Sequence, residues 1–562
     1  MLKFETIIYK PKLAIKLSNT EPMKYFVVLI IALLTLSSCK TEKNKIDLSK
    51  TDFIYLSDQK FKHKDSTFFP LMLNYPICFR KIGNEYVVSP YHDYEQEKHF
   101  EGSTKDSALH QVKGHLKLIK EMGFNTIRLV ADQNIWEIDD TQKYNIITYK
   151  THINHEKLRL KDHYQLYFDR IHEFVDIAQK MDFRIMLLIT TPIDDELKNF
   201  TKALLKEFSE EPAIFAYDFF NEPLYFDRKE YKGKKRRRSK ESAYDVAVEW
   251  KKMMDKYAPN QLFTIGFAAP IEVLEWDPSI LPVDFVAFHT YHPLRVPNEI
   301  YWYNKYIGKP WMLGETALPA DNDSIKYSEQ VQFMKEAYQR TIDCGGMGFG
   351  WWAFQDVNWG NAGHNITSLL NREGITWTKD KQHKILGTMK PAARVVKELK
   401  KLNPSGECPC WENYQNMLGY HNMVIKGKII NGDTKKPIEG AVVRGWTKYW
   451  RIGSHTFTDK HGNFTLYTNA PYYRFEISAP GMTKIKFDQK INYKPRNENV
   501  PPIDSLKNKR LEYQKISYKP FLNRDSTGKS QSIFDFKDDA FDNYFYVGHM
   551  EDKTLYPLDF IN

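Results

Sequence analysis

The chain has 562 residues, of which 42% are hydrophobic and 14% aromatic, and its formal net charge is +10. This length predicts about two to four domains, and the hydrophobic content excludes a globally disordered protein. The positive charge would suit nucleic acid, but the sequence has no zinc-finger spacing, RNP-like strand or basic-leucine pattern, which argues against a nucleic-acid-binding module.

The N-terminal region 1–39 has the pattern of a secretion signal. Lys24 precedes an apolar run over 26–36 that is too short to span a bilayer. The Leu-Ser-Ser-Cys sequence that ends at Cys39 resembles the lipobox of bacterial lipoproteins. The resemblance implies cleavage before Cys39, lipidation of that cysteine and anchoring to the bacterial outer membrane, on its periplasmic or cell-surface face. Met23 is then a candidate start codon, and the alternative is a plain secretion signal or an uncleaved anchor.

Four cysteines follow Cys39. Cys408 and Cys410 are too close in sequence to bridge each other easily. Cys78 and Cys344 lie near predicted strands and are expected to be buried thiols. The pattern is typical of neither a disulfide scaffold nor a zinc site.

Residues 40–65 are polar and lysine-rich and are expected to form a tether, after which strand and helix patterns alternate. Predicted strands cover 68–75, 125–130, 184–189, 214–220, 262–265, 285–288, 311–313 and 346–352. Predicted helices cover 106–122, 163–181, 196–209, 240–257, 325–343 and 391–402. Eight strands in this alternation predict an α/β fold, a closed (β/α)₈ TIM barrel over 66–403. The alternative is an open doubly wound sheet, but the glycine-rich turn expected after its first strand is absent.

Two of the predicted strands end on a glutamate. The fourth leads into Asn221-Glu222-Pro223, and the seventh leads into Gly314-Glu315. Barrel enzymes carry their catalytic groups at the carboxyl ends of the strands. Two carboxylates placed there could flank a single scissile bond.

These motifs resemble clan A glycoside hydrolases, nearest to family 5, over about residues 68–402. Further matching segments are Gly123-Phe124-Asn125-Thr126-Ile127-Arg128 at strand two, His289-Thr290-Tyr291 at strand six, Trp352 at strand eight and Lys390-Pro391-Ala392 before the last helix. Many family members carry a histidine after strand three, where this chain has Thr190 and Thr191. The difference leaves a neighbouring clan A family open.

The resemblance implies a retaining β-glycosidase that cleaves a polysaccharide or oligosaccharide, such as a β-mannan or β-glucan, by double displacement. Glu222 is expected to be the general acid and then the base, with its pKa raised by the charge of Glu315 nearby. Glu315 is expected to be the nucleophile. No cofactor is expected, and His289 and His292 lack the third ligand that a metal site would need.

The resemblance also implies the substrate-binding groups. Arg128 is expected to keep Glu315 ionised, its alternative being a buried structural ion pair, and Tyr291 is expected to donate a hydrogen bond to Glu315. Asn221 would bond the sugar 2-hydroxyl, and His289 would bond substrate or Glu222. Trp352 would stack on the sugar. By strand alternation Trp351 should face the other way and pack among the helices, whereas Asp218 has the parity of Glu222 but lies a layer deeper, which predicts a structural role.

Three alternatives remain open at this point. The basic run 232–240 in the loop after Glu222 is either a solvated loop or a site for an anionic glycan carrying sulfate or uronic acid. The chain could also be a non-catalytic glycan-binding lipoprotein, although such a protein would not need both glutamates. Transglycosylation by the same site is the third alternative. The oligomeric state is not predicted.

The sequence pattern changes at about residue 404, which indicates a second domain. A linker is expected over 404–421, followed by short strands with turn signals over 422–491 that predict a small all-β sandwich. The segments Gly440-Ala441-Val442-Val443 and Thr458-Asp459-Lys460-His461-Gly462-Asn463-Phe464 resemble the carboxypeptidase regulatory-like domain. That resemblance implies a non-catalytic spacer or adhesion module. Residues 492–562 are not assigned.

Overall fold

The computed structural model describes residues 47–94, 104–137, 143–151, 153–227, 230–231, 234–235, 238–291, 295–323, 325–358, 364–410, 423–450, 453–468, 470–500 and 546–561. The chain divides into two units, Met1–Asp47 and Leu48–Asn562, and every described helix and strand lies in the second. The predicted signal region with Cys39 lies outside the described residues. Within the described ranges, no helix is both long enough and apolar enough to cross a membrane.

Eight parallel strands form a closed barrel, which confirms the predicted fold class. The strands pair in chain order, and the last pairs with the first. Their bounds are β1 Leu71–Ile82, β2 Thr126–Val130, β3 Arg184–Leu188, β4 Ile214–Asn221, β5 Leu262–Phe267, β6 Val286–His289, β7 Trp311–Glu315 and β8 Phe349–Trp351. Every residue of β2, β6 and β7 is buried, as expected of parallel strands covered by helices.

Helices follow most of the barrel strands. They are α1 Lys105–Met122, α2 Tyr164–Lys180, α3 Asp195–Glu207, α4 Pro223–Phe226, α5 Lys240–Tyr257, α6 Val296–Tyr306, α7 Tyr327–Asp343 and α8 Pro391–Leu399. Short 3₁₀ helices are Leu48–Lys50, Asp132–Asn134, Leu160–Asp162 and Pro270–Leu274. Thr104, Asp194 and Ser239 cap α1, α3 and α5 by accepting a backbone N–H. Helix α6 was not predicted, because most of its side chains are buried and it lacks a polar stripe.

The expectation of a tether over 40–65 is wrong for the part that is described. Ile54–Ser57, Lys60–His63 and Ser66–Thr67 form a three-stranded antiparallel sheet. Phe61 of this sheet is fully buried against Phe215 and Phe285, at the N-terminal ends of β4 and β6. The segment therefore closes the N-terminal end of the barrel, where Phe61 packs in a buried apolar cluster with these two phenylalanines.

Additional strands extend the sheet at the carboxyl end of β1, beside β2. The extended end of β1 pairs with Glu85–Pro90 and with Tyr144–Tyr149. Other strands of this extension and of small hairpins are Ile135–Glu137, His155–Arg159, Glu230–Tyr231, Lys234–Lys235, Val357–Asn358, His364–Asn365, Ile375–Trp377 and Lys384–Leu386. None of them was predicted.

The C-terminal part forms two sheets that share one core. Its strands are β9 Met423–Asn431, β10 Val442–Trp446, β11 Gly453–Phe457, β12 Asn463–Thr468, β13 Arg474–Ser478, β14 Ile485–Asp488, β15 Tyr493–Pro495, β16 Tyr546–His549 and β17 Lys553–Leu555. One sheet runs β12-β9-β16-β15 with β17 beside β9, and the other runs β11-β10-β13-β14. Side chains of both sheets meet in one apolar cluster, as in a β-sandwich. The predicted end at 491 is too early, because β15, β16 and β17 belong to the same sheet.

The sandwich is held against the barrel by buried polar contacts. The Lys240 Nζ donates to Asp277 Oδ2 at 2.8 Å and to the carbonyls of Ala479 and Met482 at 3.0 and 2.8 Å. Trp302 Nε1 of α6 donates to the Gly440 carbonyl at 2.9 Å. A buried ammonium is stable only when it is paired and hydrogen-bonded in this way.

Cys344 is not the buried thiol that the sequence suggested. It forms a disulfide with Cys408, 64 residues later, across Cα atoms 5.0 Å apart. The cross-link ties the end of α7 to the segment that leaves the barrel after α8. Cys78 is buried, as expected, and takes no part in a disulfide within the described ranges.

Candidate active site

Glu222 and Glu315 meet at the carboxyl ends of β4 and β7. One oxygen of each carboxylate lies within 4.8 Å of the other. Glu222 directly follows β4 in the left-handed region, at φ 47°, and its N–H donates to the Gly266 carbonyl at 2.6 Å. A non-glycine residue in this region costs about 1–2 kcal/mol, and such strain clusters at functional sites.

A single arginine organises the floor between the two glutamates. Arg128 of β2 is fully buried, and all five of its N–H groups donate hydrogen bonds. The acceptors are Asp218 Oδ2 at 3.0 and 2.7 Å, Asn221 Oδ1 at 2.8 Å, Asn74 Oδ1 at 3.0 Å and Glu315 Oε1. Burial alone would lower the pKa of Arg128, but Asp218 and Glu315 outweigh it and raise the pKa. The side chain is therefore a fixed cation against Glu315.

Asp218 and Asn74 hold this arginine in place. Asp218, for which the sequence predicts a structural role, also accepts the Gly266 N–H at 2.9 Å. Asn74 was missed, although an asparagine inside the apolar strand Leu71–Ile82 is a signal that could have pointed to it. Its Nδ2 donates to the carbonyls of Gly314 and Trp351, both at 3.1 Å. Asn74 thus links Arg128 to the ends of β7 and β8.

Tyr291 contacts Glu315, as expected, and Asn221 contacts Arg128. The hydroxyl of Tyr291 donates to Glu315 Oε2, so both oxygens of Glu315 accept a hydrogen bond. Burial raises the pKa of Tyr291 well above its ordinary value, and Glu315 adds to the shift. Because Arg128 can only donate, it fixes the oxygen of the Asn221 amide toward itself, and the Asn221 NH₂ is oriented elsewhere.

His289 contacts both carboxylates through the same nitrogen, whereas His292 lies outside the described residues. The Nδ1 of His289 lies 3.1 Å from Glu222 Oε1 and 3.6 Å from Glu315 Oε1. Its Nε2 is buried with no hydrogen-bond partner among the described residues, since the ring packs against Gly266 and Gly314. An orphaned N–H is rarer than an under-satisfied acceptor, which places the ring proton on Nδ1, donating to Glu222. Burial lowers the pKa of His289 to about 4, so the ring is neutral at pH 7.

The two glutamates have different surroundings. Burial raises the pKa of Glu222 from 4.5 to about 7, against the opposing effect of Arg128. The direction agrees with the sequence-based expectation, but the cause is different: the shift comes from desolvation and not from the charge of Glu315. Glu315 instead accepts hydrogen bonds on both oxygens, from the guanidinium of Arg128 and the hydroxyl of Tyr291.

Glu272 is a further buried carboxyl that the sequence did not single out. Its Oε1 accepts the N–H of Leu224, in α4 after Glu222, at 3.1 Å and that of Ala268, after β5, at 3.0 Å. Burial raises its pKa well above the ordinary value. The side chain joins the loop after β4 to the loop after β5.

The two tryptophans at the end of β8 differ in burial and in their contacts. Trp351 is fully buried, donates to the Thr367 carbonyl at 3.2 Å and lies 6.1 Å from Phe333 of α7. Trp352 is half-buried, and its N–H donates to the Thr316 carbonyl at 3.1 Å, next to Glu315. The backbone of Trp352 is thus anchored beside the residue that follows Glu315.

Most of the basic run 232–240 lies outside the described side chains, but two of its members serve the structure. Arg238 forms a bidentate pair with Asp227 at 2.7 and 3.1 Å and lies over the ring of Trp276. Lys240 pairs with Asp277 at 2.8 Å. These two cations are therefore not available to a substrate.

Glu222, His289 and Glu315 also have the spacing of a three-ligand metal site, the one such cluster within the described residues. Two observations argue against a cation there. Both oxygens of Glu315 already accept hydrogen bonds, and the guanidinium of Arg128 is in direct contact with that carboxylate. A second cation in this position would be repelled by the first.

No protein-family model and no curated protein matches the chain. Similar solved structures include an exo-β-1,4-mannosidase of Opitutaceae bacterium strain TAV5, with 11% identity, a TM-score of 0.41 and coverage of 62% of each chain. The β-glucuronidase 2 of Bacteroides uniformis has 13% identity and a TM-score of 0.40, over 78% of this chain and 48% of that one. The endo-1,4-β-D-mannanase of Thermotoga petrophila RKU-1 has 14% identity and a TM-score of 0.37, over 60% and 100%. The chain spans less than two thirds of the first two proteins, and likeness this remote assigns neither family nor substrate.

Proposed function

We propose that the chain is a retaining β-glycosidase with Glu222 as acid/base and Glu315 as nucleophile. The observation that carries the proposal is the approach of the two carboxylates to within 4.8 Å. Retaining enzymes place their carboxyl groups about 5–5.5 Å apart, whereas inverting enzymes need about 6.5–9.5 Å to admit a water. A glycan-binding protein without catalysis has no need of two carboxylates in such different environments.

In the first step Glu222 protonates the glycosidic oxygen while Glu315 attacks the anomeric carbon. His289 donates to Glu222 Oε1, so the transferred proton resides on Oε2. The C–O bond to the leaving group breaks, and the bond from Glu315 forms a glycosyl-enzyme. Arg128 and Tyr291 hold the two oxygens of Glu315 and orient them for the attack.

In the second step Glu222, now a carboxylate, takes a proton from water as that water attacks the anomeric carbon. The bond to Glu315 breaks, and its charge returns to the oxygens that Arg128 and Tyr291 contact. The NH₂ of Asn221, turned away from Arg128, is the donor suited to the sugar 2-hydroxyl, a contact that strengthens in the transition state. The half-buried ring of Trp352 is the stacking surface proposed for the sugar.

The proposed substrate class, a β-mannan or β-glucan, rests on the sequence resemblance alone. A reducing-sugar assay over a panel of neutral and acidic polysaccharides tests the activity. Proton NMR of the first product on the cleaved glycan tests the mechanism, since retention gives the β-anomer first. The α-anomer appearing first would refute the roles given to Glu222 and Glu315.

We further propose that the protein is a lipoprotein anchored through Cys39 to the outer membrane, with 404–421 as the linker between its two domains. The support is the lysine, apolar run and Leu-Ser-Ser-Cys pattern over 23–39. Labelling with radioactive palmitate in cells should mark the wild type and spare Cys39→Ala. Equal labelling of both would reject the anchor.

A further inference from the structure

A cavity of about 210 Å³ lies on one side of the two glutamates. Glu222 lines it and Glu315 does not. The general acid delivers its proton to the leaving-group oxygen. The cavity on the acid's side of the pair is therefore the place for the leaving group, once the proposed glycosidase function is accepted.

The wall of this cavity carries a cation. Arg295, at the start of α6, lines the cavity and is partly exposed. Tyr225, from α4, lines it as well and is 44% exposed. A guanidinium and a phenol together provide donors suited to the oxygens of an anion.

Besides Glu222 and Arg295, the wall contains Glu299, which is directed toward the protein. Glu299 is only 2% exposed. Its Oε2 accepts a hydrogen bond from Thr290 Oγ1, and its Oε1 lies 3.5 Å from His455 Nε2. The carboxylate of Glu299 therefore contacts these two neighbours, and Arg295 lines the cavity beside it.

The sandwich supplies a second cation to the same region. Arg444 of β10 and Arg295 both act electrostatically on the Tyr225 hydroxyl and on His455 of β11. Burial lowers the pKa of His455, so the imidazole is neutral at pH 7. Among the described residues, the charged groups near this region are thus two arginines, the buried Glu299 and Glu222, whose pKa burial raises to about 7.

We propose that this cavity binds an acidic substituent, a carboxylate or a sulfate, on the leaving-group side of the scissile bond. Arg295 is its direct partner, and Arg444 of the sandwich adds positive potential. The specificity for an anionic glycan then resides in the wall shared by α6 and the sandwich, and not in the Arg238 and Lys240 part of the basic run. The inference rests on the proposed glycosidase function and adds to it that the glycan, whether of β-mannan or β-glucan type, carries an acidic substituent.

The test compares aryl β-glycosides of the cleaved sugar whose phenols have equal acidity. One aglycone carries a carboxamide, one a carboxylate and one a sulfonate, and kcat/KM is measured for each. Wild type is compared with Arg295→Gln, Arg295→Lys and Arg444→Gln. Arg394→Gln is the matched control, since Arg394 lies exposed on α8 and the variant loses the same charge.

We expect wild type to prefer the charged aglycones by about tenfold, the range of one charge-assisted hydrogen bond. Arg295→Gln should lose this preference, Arg295→Lys should keep part of it, Arg444→Gln should reduce it and Arg394→Gln should keep it. In wild type the preference should shrink as NaCl is raised, because salt screens the attraction. A stronger effect of carboxylate than of sulfonate, or the reverse, identifies which acid the site accepts.

Failure of the anionic site and failure of the glycosidase function give different outcomes. Equal kcat/KM for neutral and charged aglycones in wild type, at normal turnover, would overturn the anionic site and leave the glycosidase intact. Equal loss of preference in Arg394→Gln would also overturn it. Absence of turnover on every aryl glycoside and every polysaccharide would overturn both.

Discussion

Replacement of Glu222 by glutamine isolates the general acid. The amide has the shape of the carboxyl and can still contact His289 Nδ1, but it has no proton to give to the leaving group. General acid–base catalysis contributes about 10²- to 10⁴-fold. The loss in kcat/KM should fall in this range for a substrate with a poor leaving group, such as an unsubstituted phenol or a sugar.

The structure sets the pH at which this acid works. Burial raises the pKa of Glu222 from 4.5 to about 7, a difference of about 3 kcal/mol between its two protonation states. About half of the side chains are then protonated at pH 7, compared with roughly 0.3% at the ordinary pKa. Because the acid form is the active one, kcat/KM should fall as pH rises through about 7, by about tenfold per pH unit above it.

The assay uses two aryl β-glycosides of the cleaved sugar, one with a weakly acidic and one with a strongly acidic phenol. The kcat/KM value reports the glycosylation step and the ionisation of the free enzyme. Glu222→Gln should lose the alkaline limb, lose most rate on the weakly acidic phenol and lose little on the strongly acidic one. Added azide should restore turnover by replacing water in the second step, giving the β-glycosyl azide.

Glu373→Gln is the matched control, since Glu373 lies exposed in a loop and undergoes the same change. It should keep both the rate and the pH profile. Persistence of the alkaline limb in Glu222→Gln, or an equal loss on both phenols, would refute the assignment of Glu222 as the acid.

Three further predictions concern the nucleophile, its support and the domain contact. Glu315→Ala should abolish turnover with every leaving group, and near-normal rates in a purified sample would reject its role. Asn74→Ala removes three hydrogen bonds and should lower the free energy of unfolding, measured by urea titration, by about 3 kcal/mol. It should also lower kcat. An unchanged midpoint of urea unfolding would contradict the link to Arg128. Lys240→Met leaves Asp277 buried without its cation and should lower the free energy of unfolding by about 3–5 kcal/mol. The loss should appear as faster proteolytic separation of the sandwich from the barrel, and unchanged proteolysis would contradict it.

The barrel was predictable because each of its elements has a local signal. Buried strands read as apolar runs, helices begin at capping residues such as Asp194 and Ser239, and the alternation of the two implies parallel pairing. The glutamates follow the same logic, since a carboxylate at the end of an apolar strand lies at the active face of a barrel. Around those glutamates the structure gathers four predicted residues: Arg128, Asn221, His289 and Tyr291.

The errors share one physical origin, which is contact between residues distant in sequence. The Cys344–Cys408 disulfide spans 64 residues, and nothing local distinguishes its cysteines from buried thiols. Strand β16 joins β9 in parallel across more than a hundred residues, so the sandwich could not be bounded from turn signals. The small sheet that contains Phe61 packs on the barrel only because the N-terminal end of the barrel has an apolar surface.

By itself, the sequence determined the barrel and the two strand ends that carry Glu222 and Glu315, since periodicity and strand order are local properties. Only the tertiary structure decided how the two carboxyls differ. Desolvation of Glu222 depends on everything packed around it, and the hydrogen bonds to Glu315 depend on closure of the barrel that brings β2, β6 and β7 together. The same is true of Arg295 and Arg444, which reach one region because the sandwich packs on α6. Burial and long-range contact, which no short stretch of residues contains, therefore assign the roles at this site.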